Sequence, residues 1–295
     1  MQGLDERTRD LIQRRVLRRV KDIPSLPQFV IETLNKLDDP TSSAADVASK
    51  LSKDEGLVVR VLRLANSAYY GISRRITNIS EAISYLGFKT IKSIVLAASV
   101  YKFMDSSFAG YALDRGELWK HSQSVAAACR YVCTKNRVCD PEAAYIGGLM
   151  HDIGKIVLND YVRFGYSIIL RLVEEDCVQF CDAERQVLGF DHAQVGGLVM
   201  EQWNLPDLYT CITTYHHTPW DLPEDKIPEY QSIVDVVHVC NGICIMLGVG
   251  IGADGMQYNI SPDSLERLGM TDKLEEIMGE FVDLFLSLEE EMKES

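Results

Sequence analysis

The sequence lacks any stretch in which apolar and polar residues alternate over the length of a β-strand. It also has little that resembles a membrane span. The segment "SIVLAASVY" (93–101) is among the longest apolar stretches, and it is far shorter than the ~20 residues that cross a bilayer. The segment "MQGLDERTRDLIQRRVLRRV" (1–20) has no apolar core of the kind found in signal peptides. We therefore expect a cytoplasmic protein that does not bind membranes.

Positive charge is scarce, with 30 Lys and Arg against 43 Asp and Glu and a net charge of −13. Such a chain does not suit broad, non-specific nucleic-acid binding, which depends on neutralising phosphates. A local, metal-lined pocket could still bind a phosphate ester. The predicted helix over residues 4–22 does have a basic face, formed by Arg7, Arg9, Arg14, Arg15, Arg18, Arg19 and Lys21. We interpret this face as a solvated helix surface, with an anion or partner site as the alternative.

The eight cysteines include no C-x-x-C motif, which argues against a zinc ribbon or a thioredoxin-like site. Three pairs are spaced four residues apart: Cys129 and Cys133, Cys177 and Cys181, Cys240 and Cys244. Because this spacing is about one helical turn, we interpret the cysteines as free thiols packed on helix faces in a reducing compartment. A thiolate metal site is the alternative.

Apolar residues recur at helical spacing along the chain, which predicts an all-α fold with several helices. Two prolines in "IPSLPQ" (23–28) end the first helix, and residues 102–116 are rich in small and polar residues. We interpret that second segment as a junction. The predicted domains are an N-terminal helical half, residues 1–110, and a C-terminal helical half, residues 111–295, which ends in an acidic amphipathic helix.

Three local predictions concern helix ends and loops. Ser42 or Ser43 is a candidate N-cap, with Asp46 completing a capping box. The helix that begins in "SKDEGLVVRVLRLANSAYYG" is expected to end near Gly71. The segment "GVGIGADG" (248–255) follows no strand, so we interpret it as a flexible loop and not as a nucleotide-binding turn.

Histidine is absent from the first 120 residues and then occurs six times, at His121, His151, His192, His216, His217 and His238. Neutral imidazole is the commonest nitrogen ligand of first-row metals, and facing helices of a bundle can supply such ligands to a common centre. Asp152 could bridge two ions through its two oxygens. Glu117 precedes His121 by one helical turn and could add an oxygen ligand.

Spacing alone leaves open whether these residues bind metal, because a single histidine on a helix is usually a packed or capping residue. The pattern "HDIGK" (151–155), followed later by "HH" (216–217), favours the metal centre.

Several separated motifs, found in order between about residue 20 and about residue 250, resemble the HD-related output domain (HDOD) family of the HD superfamily. They are "IPSLPQ" (23–28), "LRLANSAYYG" (62–71), "ITNISEAISYLGFKTIKSIVL" (76–96), "ELWKHS" (117–122), "GLMHDIGKIVL" (148–158), "GFDHAQVGGLVMEQWNLP" (189–206) and "HH" (216–217). The resemblance implies an all-α fold with an N-terminal helical subdomain and an HD-type helical bundle.

The C-terminal half is also similar to the HD-GYP phosphodiesterases, which hydrolyse cyclic dinucleotides at a centre of two or three metals. Carried over by position, the resemblance implies these metal ligands: His121, His151, Asp152, His192, His216 and His217. Glu117 matches an additional glutamate of some members, and Lys155 matches a lysine near the substrate phosphate.

The chain departs from that branch at two places. The HD pattern ends with an aspartate ligand on a late helix, but "VHVCN" (237–241) has Asn241 there, and an amide oxygen binds a divalent ion more weakly than a carboxylate. Asp235 is six residues earlier and would point in another direction. The GYP segment is absent after the paired histidines, where the chain has "HHTPWDLPED" (216–225).

These observations predict a signalling output module that holds one or two ions of iron, manganese or zinc, since nitrogen-rich ligand sets favour such metals. Its partner would be a signalling protein, and a nucleotide or another phosphate-containing ligand could bind. The alternative is a metal-dependent phosphohydrolase acting on a nucleotide or a cyclic dinucleotide, with Asp152 and Lys155 as its catalytic residues.

Overall fold

A computed structural model describes residues 6–67, 70–72, 74–250, 252–255 and 257–293. Throughout these ranges the regular structure is helical, apart from one antiparallel bridge between Phe108 and Leu113. The predicted all-α fold is therefore confirmed.

The helices are numbered here in chain order. They are α1 (Glu6–Asp22), α2 (Gln28–Asp38), α3 (Ala44–Leu51), α4 (Glu55–Ala65), α5 (Ile79–Met104), α6 (Glu117–Asn136), α7 (Pro141–Met150), α8 (Lys155–Glu174), α9 (Phe180–Leu188), α10 (His192–Gln202), α11 (Asp207–Tyr215), α12 (Ile227–Met246), α13 (Pro262–Arg267) and α14 (Leu274–Lys293). Short 3₁₀ turns occupy Ala109–Tyr111, Pro219–Asp221 and Ala253–Gly255.

The chain packs as two compact units. The large unit contains Met1–Pro24 and Phe103–Met278, and the small unit contains Ser25–Lys102 and Gly279–Ser295. These units do not coincide with the division at residue 110, because α1 packs with the later helices and the C-terminal end of α14 packs with the earlier ones. The predicted domain boundary itself stays a prediction.

In the small unit, the ends of two helices are fixed by side-chain hydrogen bonds. Ser43 caps α3 and forms the predicted capping box with Asp46. The helix expected to end near Gly71 ends instead at Ala65, because the side chain of Asn66 forms hydrogen bonds with a residue beyond the helix. Asn66 donates to the Ile76 carbonyl (2.8 Å) and accepts from the Ile76 N–H (2.6 Å), which ties the following loop to the helix end.

Helix α5 is the exception to the expectation that no segment could span a membrane, since by length and composition alone it is long and apolar enough. Gly87 interrupts its helical backbone with φ 78° and ψ 165°. Half of its apolar window is buried within the structure. A helix in the core of a folded domain can pass the same test of length and composition.

The cysteines differ from the prediction at two places. Cys133 and Cys139 form a disulfide with a Cα–Cα distance of 5.5 Å, because Arg137 turns the chain back at the end of α6 with φ 55°. Cys177 is exposed and does not pack on a helix face. The other cysteines are free and buried, as predicted: Cys129, Cys181, Cys211, Cys240 and Cys244.

The basic face of α1 and the acidic α14 follow their predictions. The basic residues of α1 are exposed except for Arg9, which is half-buried and donates to the Gln186 carbonyl at 2.7 Å. In α14, Phe281 and Phe285 are buried with ring centroids 5.7 Å apart, so this helix docks through its apolar face.

Close packing of the start of α8 against α10 brings the "HDIGK" motif close to His192. A Cβ atom at Gly154 would lie 1.9 Å from the His192 carbonyl oxygen and 2.6 Å from the Gly196 nitrogen. Only a residue without a side chain permits this approach, which places Asp152 beside His192.

We expect Gly154→Ala to destabilise the fold by ~1–3 kcal/mol or more, because the added methyl group would have to displace backbone atoms and not a flexible side chain. Urea denaturation would measure the change. Gly279→Ala in α14 is the matched control: beyond its own helix backbone and chain neighbours, no atom of the described residues lies within 4 Å of its Cβ position, so it should be neutral or stabilising. Equal stability of the two variants would contradict this account of the packing.

Candidate metal centre

Residues from five helical elements meet at one buried point of the large unit. His121 lies in α6, and His151 with Asp152 follows α7. His192 begins α10, and His216 with His217 follows α11. Asn241 lies in α12. Each of these seven side chains is less than a tenth exposed, and His217 is the most exposed at 9%.

The Asp152 carboxylate lies between two sets of histidines. Its Oδ2 atom is 3.3 Å from His151 Nε2 and 3.7 Å from His121 Nε2. Its Oδ1 atom is 3.3 Å from His192 Nε2 and 3.8 Å from His216 Nε2. Each oxygen of Asp152 therefore faces one set of histidines, and its bridging of two ions stays a prediction.

Three of the imidazoles are oriented by backbone carbonyls. The Nδ1 atoms of His121, His151 and His216 lie 2.9, 2.7 and 2.8 Å from the carbonyl oxygens of Val249, Gly148 and Thr213. A carbonyl only accepts, so each ring carries a proton on Nδ1 and directs its Nε2 towards Asp152. This is the orientation that metal-binding histidines adopt.

Burial keeps several of these rings neutral. It lowers the pKa of His121 in spite of the nearby Asp152 carboxylate. It also lowers the pKa of His216 and of His217 well below the usual range, helped by the neighbouring histidines. Neutral imidazole is the form that binds a metal.

His192 differs because a carboxylate faces its ring. Its Nδ1 atom lies 2.7 Å from Glu184 Oε2, and its Nε2 atom lies 2.8 Å from His217 Nε2. Burial lowers the pKa of His192, but Glu184 and Asp152 outweigh it and raise the pKa to about 10. Two lone pairs that face each other at 2.8 Å repel, so this contact requires a proton or a metal ion between the two nitrogens.

The donor atoms form two ligand groups. The first ligand group is His121, His151 and Asp152, and the second is His192, His216 and His217. Within each group the donor atoms lie within 4.8 Å of one another.

A metal ion fits these residues for two reasons. His151 Nε2, His216 Nε2 and Asp152 Oδ1 are buried, and no hydrogen bond to them is found in the described part of the chain. Orphaned buried polar atoms are costly unless a partner satisfies them. In addition, the distances from Asp152 to the histidines are close to the ~3.3 Å that separates two ligands of a tetrahedral zinc ion. The residues could therefore hold metal.

Asn241 lies where the motif expects an aspartate. Its Oδ1 atom is 3.0 Å from His121 Nε2, and its Nδ2 donates to the Tyr258 hydroxyl at 3.4 Å. The Asn241 amide oxygen and one Asp152 oxygen thus both face His121 Nε2, at 3.0 and 3.7 Å. Asn241 is 2% exposed and therefore faces the interior.

Lys155 is buried beside Asp152. Its Nζ atom is 2.5 Å from Asp152 Oδ2 and 5.5 Å from the centre of the Tyr111 ring. Burial raises the pKa of Asp152, but His151 and Lys155 outweigh it and hold that pKa well below the usual range. The Lys155 ammonium group therefore contacts Asp152, the carboxylate that the sequence predicts to be a metal ligand.

Two other residues considered in the sequence lie outside the ligand groups. Glu117 is half-buried and belongs to neither group. Asp235 accepts two hydrogen bonds from Arg267, at 2.7 and 2.8 Å, and so has a structural role. His238, which no ligand prediction included, packs behind His216, with its Nδ1 2.7 Å from the His216 carbonyl oxygen.

Sequence reasoning missed the residues that support the ligands. Glu184 and Tyr111 have no motif around them. Val249 lies in the segment interpreted as a flexible loop, but its carbonyl fixes His121, so the first part of that loop is packed on the centre. Residues 251 and 256 of the chain lie outside the described ranges.

We expect Lys155→Met to increase metal affinity about tenfold or more, because it removes a positive charge that competes for Asp152 in a site of low effective dielectric. The metal-free variant should melt at a lower temperature than the wild type, since Asp152 loses its buried partner. Calorimetric titration with Mn²⁺ or Zn²⁺ would measure the change.

Lys226→Met is the control for that variant, because Lys226 forms an exposed pair with Asp207 at 2.6 Å. It should leave metal affinity unchanged. A weaker affinity in Lys155→Met would mean that Lys155 supports the metal site and does not compete with metal.

Comparisons with known proteins agree with this architecture. A protein of *Treponema pallidum* without a described function is 24% identical over 236 residues, which cover 76% of this chain and 42% of that protein. The chain thus spans less than half the length of that relative.

Solved structures share the fold. An HDOD domain protein of unknown function from *Geobacter sulfurreducens* is 26% identical, with a TM-score of 0.71, covering 93% of this chain and 88% of that one. A candidate phosphohydrolase from *Shewanella amazonensis* is 23% identical, with a TM-score of 0.63, covering 90% and 97%. A candidate signal transduction protein from *Marinobacter aquaeolei* is 17% identical, with a TM-score of 0.70, covering 97% and 66%. The family model of the HDOD domain matches residues 23–219, and the chain belongs to that family.

Proposed function

We propose that the protein is a signalling output module whose large unit holds one or two divalent transition metal ions and has little or no catalytic activity. The observation that carries the proposal is the convergence of four buried imidazole Nε2 atoms on the two oxygens of Asp152. Iron, manganese and zinc suit this mixed nitrogen and oxygen donor set. A bound ion would join α6, α7, α10 and α11 and stabilise one arrangement of these helices.

Two features support low catalytic activity. Asn241 offers a neutral oxygen to the first ligand group, so an ion there is less neutralised than with a carboxylate. Lys155 is held by Asp152 at 2.5 Å and does not extend as a free cation towards a substrate. A two-metal hydrolysis requires both ions and a cation placed at the phosphate.

The alternative function is a metal-dependent phosphohydrolase acting on a nucleotide or a cyclic dinucleotide, as the similarity to HD-GYP enzymes implies. The burial of Lys155 inside the centre is the observation that favours it. In that case bound metal would polarise the phosphate ester, Asp152 would hold the ions, and Lys155 would leave Asp152 to bind a phosphate oxygen. The candidate phosphohydrolase from *S. amazonensis* agrees with this alternative in fold.

The proposed setting is the cytoplasm, and the proposed partner is another signalling protein that contacts one metal-dependent arrangement of the helices. A phosphate-containing ligand could bind at an ion of the centre. Metal analysis of protein purified without chelator, followed by phosphate-release assays on a panel of phosphodiesters with Mn²⁺ or Fe²⁺, separates the module from the enzyme.

We expect the purified protein to contain metal, and His151→Ala and Asp152→Ala to lose metal. Asp152 should have the larger effect because it contacts both ligand groups, whereas His151 belongs to one. Elemental analysis by mass spectrometry gives the stoichiometry. His238→Ala is the control, since that ring is buried behind His216 without belonging to a ligand group. A metal-free wild type that also takes up none on titration would exclude the proposed centre.

We expect unequal occupancy, with the second ligand group binding more tightly and Asn241→Asp raising occupancy of the first group. The added carboxylate would lie beside His121 and neutralise an ion there. Stoichiometry measured before and after the change tests the prediction, and the phosphodiester panel tests whether hydrolysis appears. Asn241→Leu, of similar size but without a donor atom, should not raise occupancy. Unchanged stoichiometry in Asn241→Asp would show that position 241 does not bind metal.

A further inference from the structure

A buried tyrosine and a buried glutamate connect the second ligand group to Lys155. The Tyr111 hydroxyl donates to Glu184 Oε1 at 2.5 Å, and both side chains are fully buried. The Tyr111 ring lies edge-on to His192, with ring centroids 6.1 Å apart. Its face is 5.5 Å from Lys155 Nζ, within the range of a cation–π contact. Tyr111 therefore touches two residues of the centre and the carboxylate behind one of them.

Both oxygens of the Glu184 carboxylate are occupied. Oε1 accepts from Tyr111, and Oε2 accepts from the backbone N–H of His192 at 3.0 Å and faces its Nδ1 at 2.7 Å. A buried carboxylate without partners would be very costly, so these hydrogen bonds fix its position. Since Oε2 bonds both the backbone and the ring of His192, it fixes the rotation of that imidazole.

His192 is thereby distinguished from the other ligand histidines. His121, His151 and His216 are oriented by neutral carbonyls, whereas an anion orients His192. Hydrogen bonds to a charged acceptor are shorter and stronger than those to a neutral one. A carboxylate bonded to one ring nitrogen also makes the other nitrogen a better metal donor.

We propose that Glu184 and Tyr111 are positioning residues that give the second ligand group its higher metal affinity. Glu184 fixes the ring of His192 and strengthens Nε2 as a donor, and Tyr111 holds Glu184 in place. The inference rests on the proposed metal binding, and it adds a cause of unequal occupancy that is independent of Asn241.

Tyr111 lies in residues 102–116, the segment predicted to be a junction. Its 3₁₀ turn, Ala109–Tyr111, packs on α8: the Gly110 N–H donates to Asn159 Oδ1 at 2.9 Å. A Cβ atom at Gly110 would lie 2.2 Å from the Asn159 carbonyl oxygen. The turn Ala109–Tyr111 is therefore a structural support of the centre, and the interpretation of residues 102–116 as a junction stays a prediction.

The test uses the full chain and Co²⁺, whose visible absorption reports ligation by nitrogen. Glu184→Gln retains an oxygen that can accept from His192, and its amide can donate to the Tyr111 oxygen, so it removes charge with little change in shape. We expect its Co²⁺ dissociation constant for the tighter site to rise about tenfold, the lower end of the range for such supporting residues. Tyr111→Phe should raise it by a smaller factor. The Co²⁺ spectrum of both variants should also change.

Two matched controls involve the same chemical changes away from the centre. Glu142→Gln alters a carboxylate paired with Arg130 at 2.6 Å, and Tyr145→Phe removes a hydroxyl bonded to Gln123 at 2.8 Å. Neither should change the Co²⁺ affinity. If Glu184→Gln does not fold, Tyr111→Phe carries the test, because it removes one hydroxyl only.

The outcomes separate this inference from the proposed function. If the wild type binds no Co²⁺, Mn²⁺ or Zn²⁺, both are overturned. If the wild type binds Co²⁺ and both variants bind it with the wild-type affinity and spectrum, only the positioning role is overturned. A lower melting temperature of the metal-free variants with unchanged affinity would show a purely structural role and would also overturn the inference.

Discussion

Burial of the Asp152 carboxylate is the constraint on which the rest of the centre depends. A carboxylate that is 1% exposed is stable only with compensating partners, and this one has a lysine at 2.5 Å and four imidazoles within 3.8 Å. The surrounding helices are arranged to supply those partners. Gly154 lets α8 approach α10, and the carbonyls behind the rings of His121, His151 and His216 turn their Nε2 atoms inward.

Lys155 and a metal ion compete to compensate the charge of the Asp152 carboxylate, because both require the same oxygen. The ammonium group occupies the side of Asp152 that faces the first ligand group, where Asn241 replaces the expected carboxylate. The other oxygen faces the second ligand group, which has Glu184 behind His192 and, among the described residues, no ammonium group within hydrogen-bonding distance. The two halves of the centre are thus chemically unequal, and both differences favour metal at the second group.

The fold class and the ligand positions could be predicted from the sequence because each depends on local information. Helical periodicity shows in any window of the chain, and "HDIGK" with the later "HH" identifies residues whose chemistry is distinctive. Glu184 and Tyr111 could not be found in this way, since they are 73 residues apart and neither lies in a motif. The packing of Val249 on His121 spans 128 residues and depends on how the chain turns after α12. The Cys133–Cys139 disulfide was missed because helical spacing took no account of the left-handed turn at Arg137.

The pattern of exposure determines which part of the centre an outside ligand would meet. His217 is 9% exposed, while His151 and His216 are fully buried. The second ligand group, for which we propose the tighter metal binding, is therefore also the one nearer to solvent. An ion there could accept a phosphate oxygen as an additional ligand without a second ion and without hydrolysis. A centre of this kind can detect a phosphate-containing ligand by binding it. A signalling module needs only this binding step, whereas a phosphodiesterase must also hydrolyse the ligand.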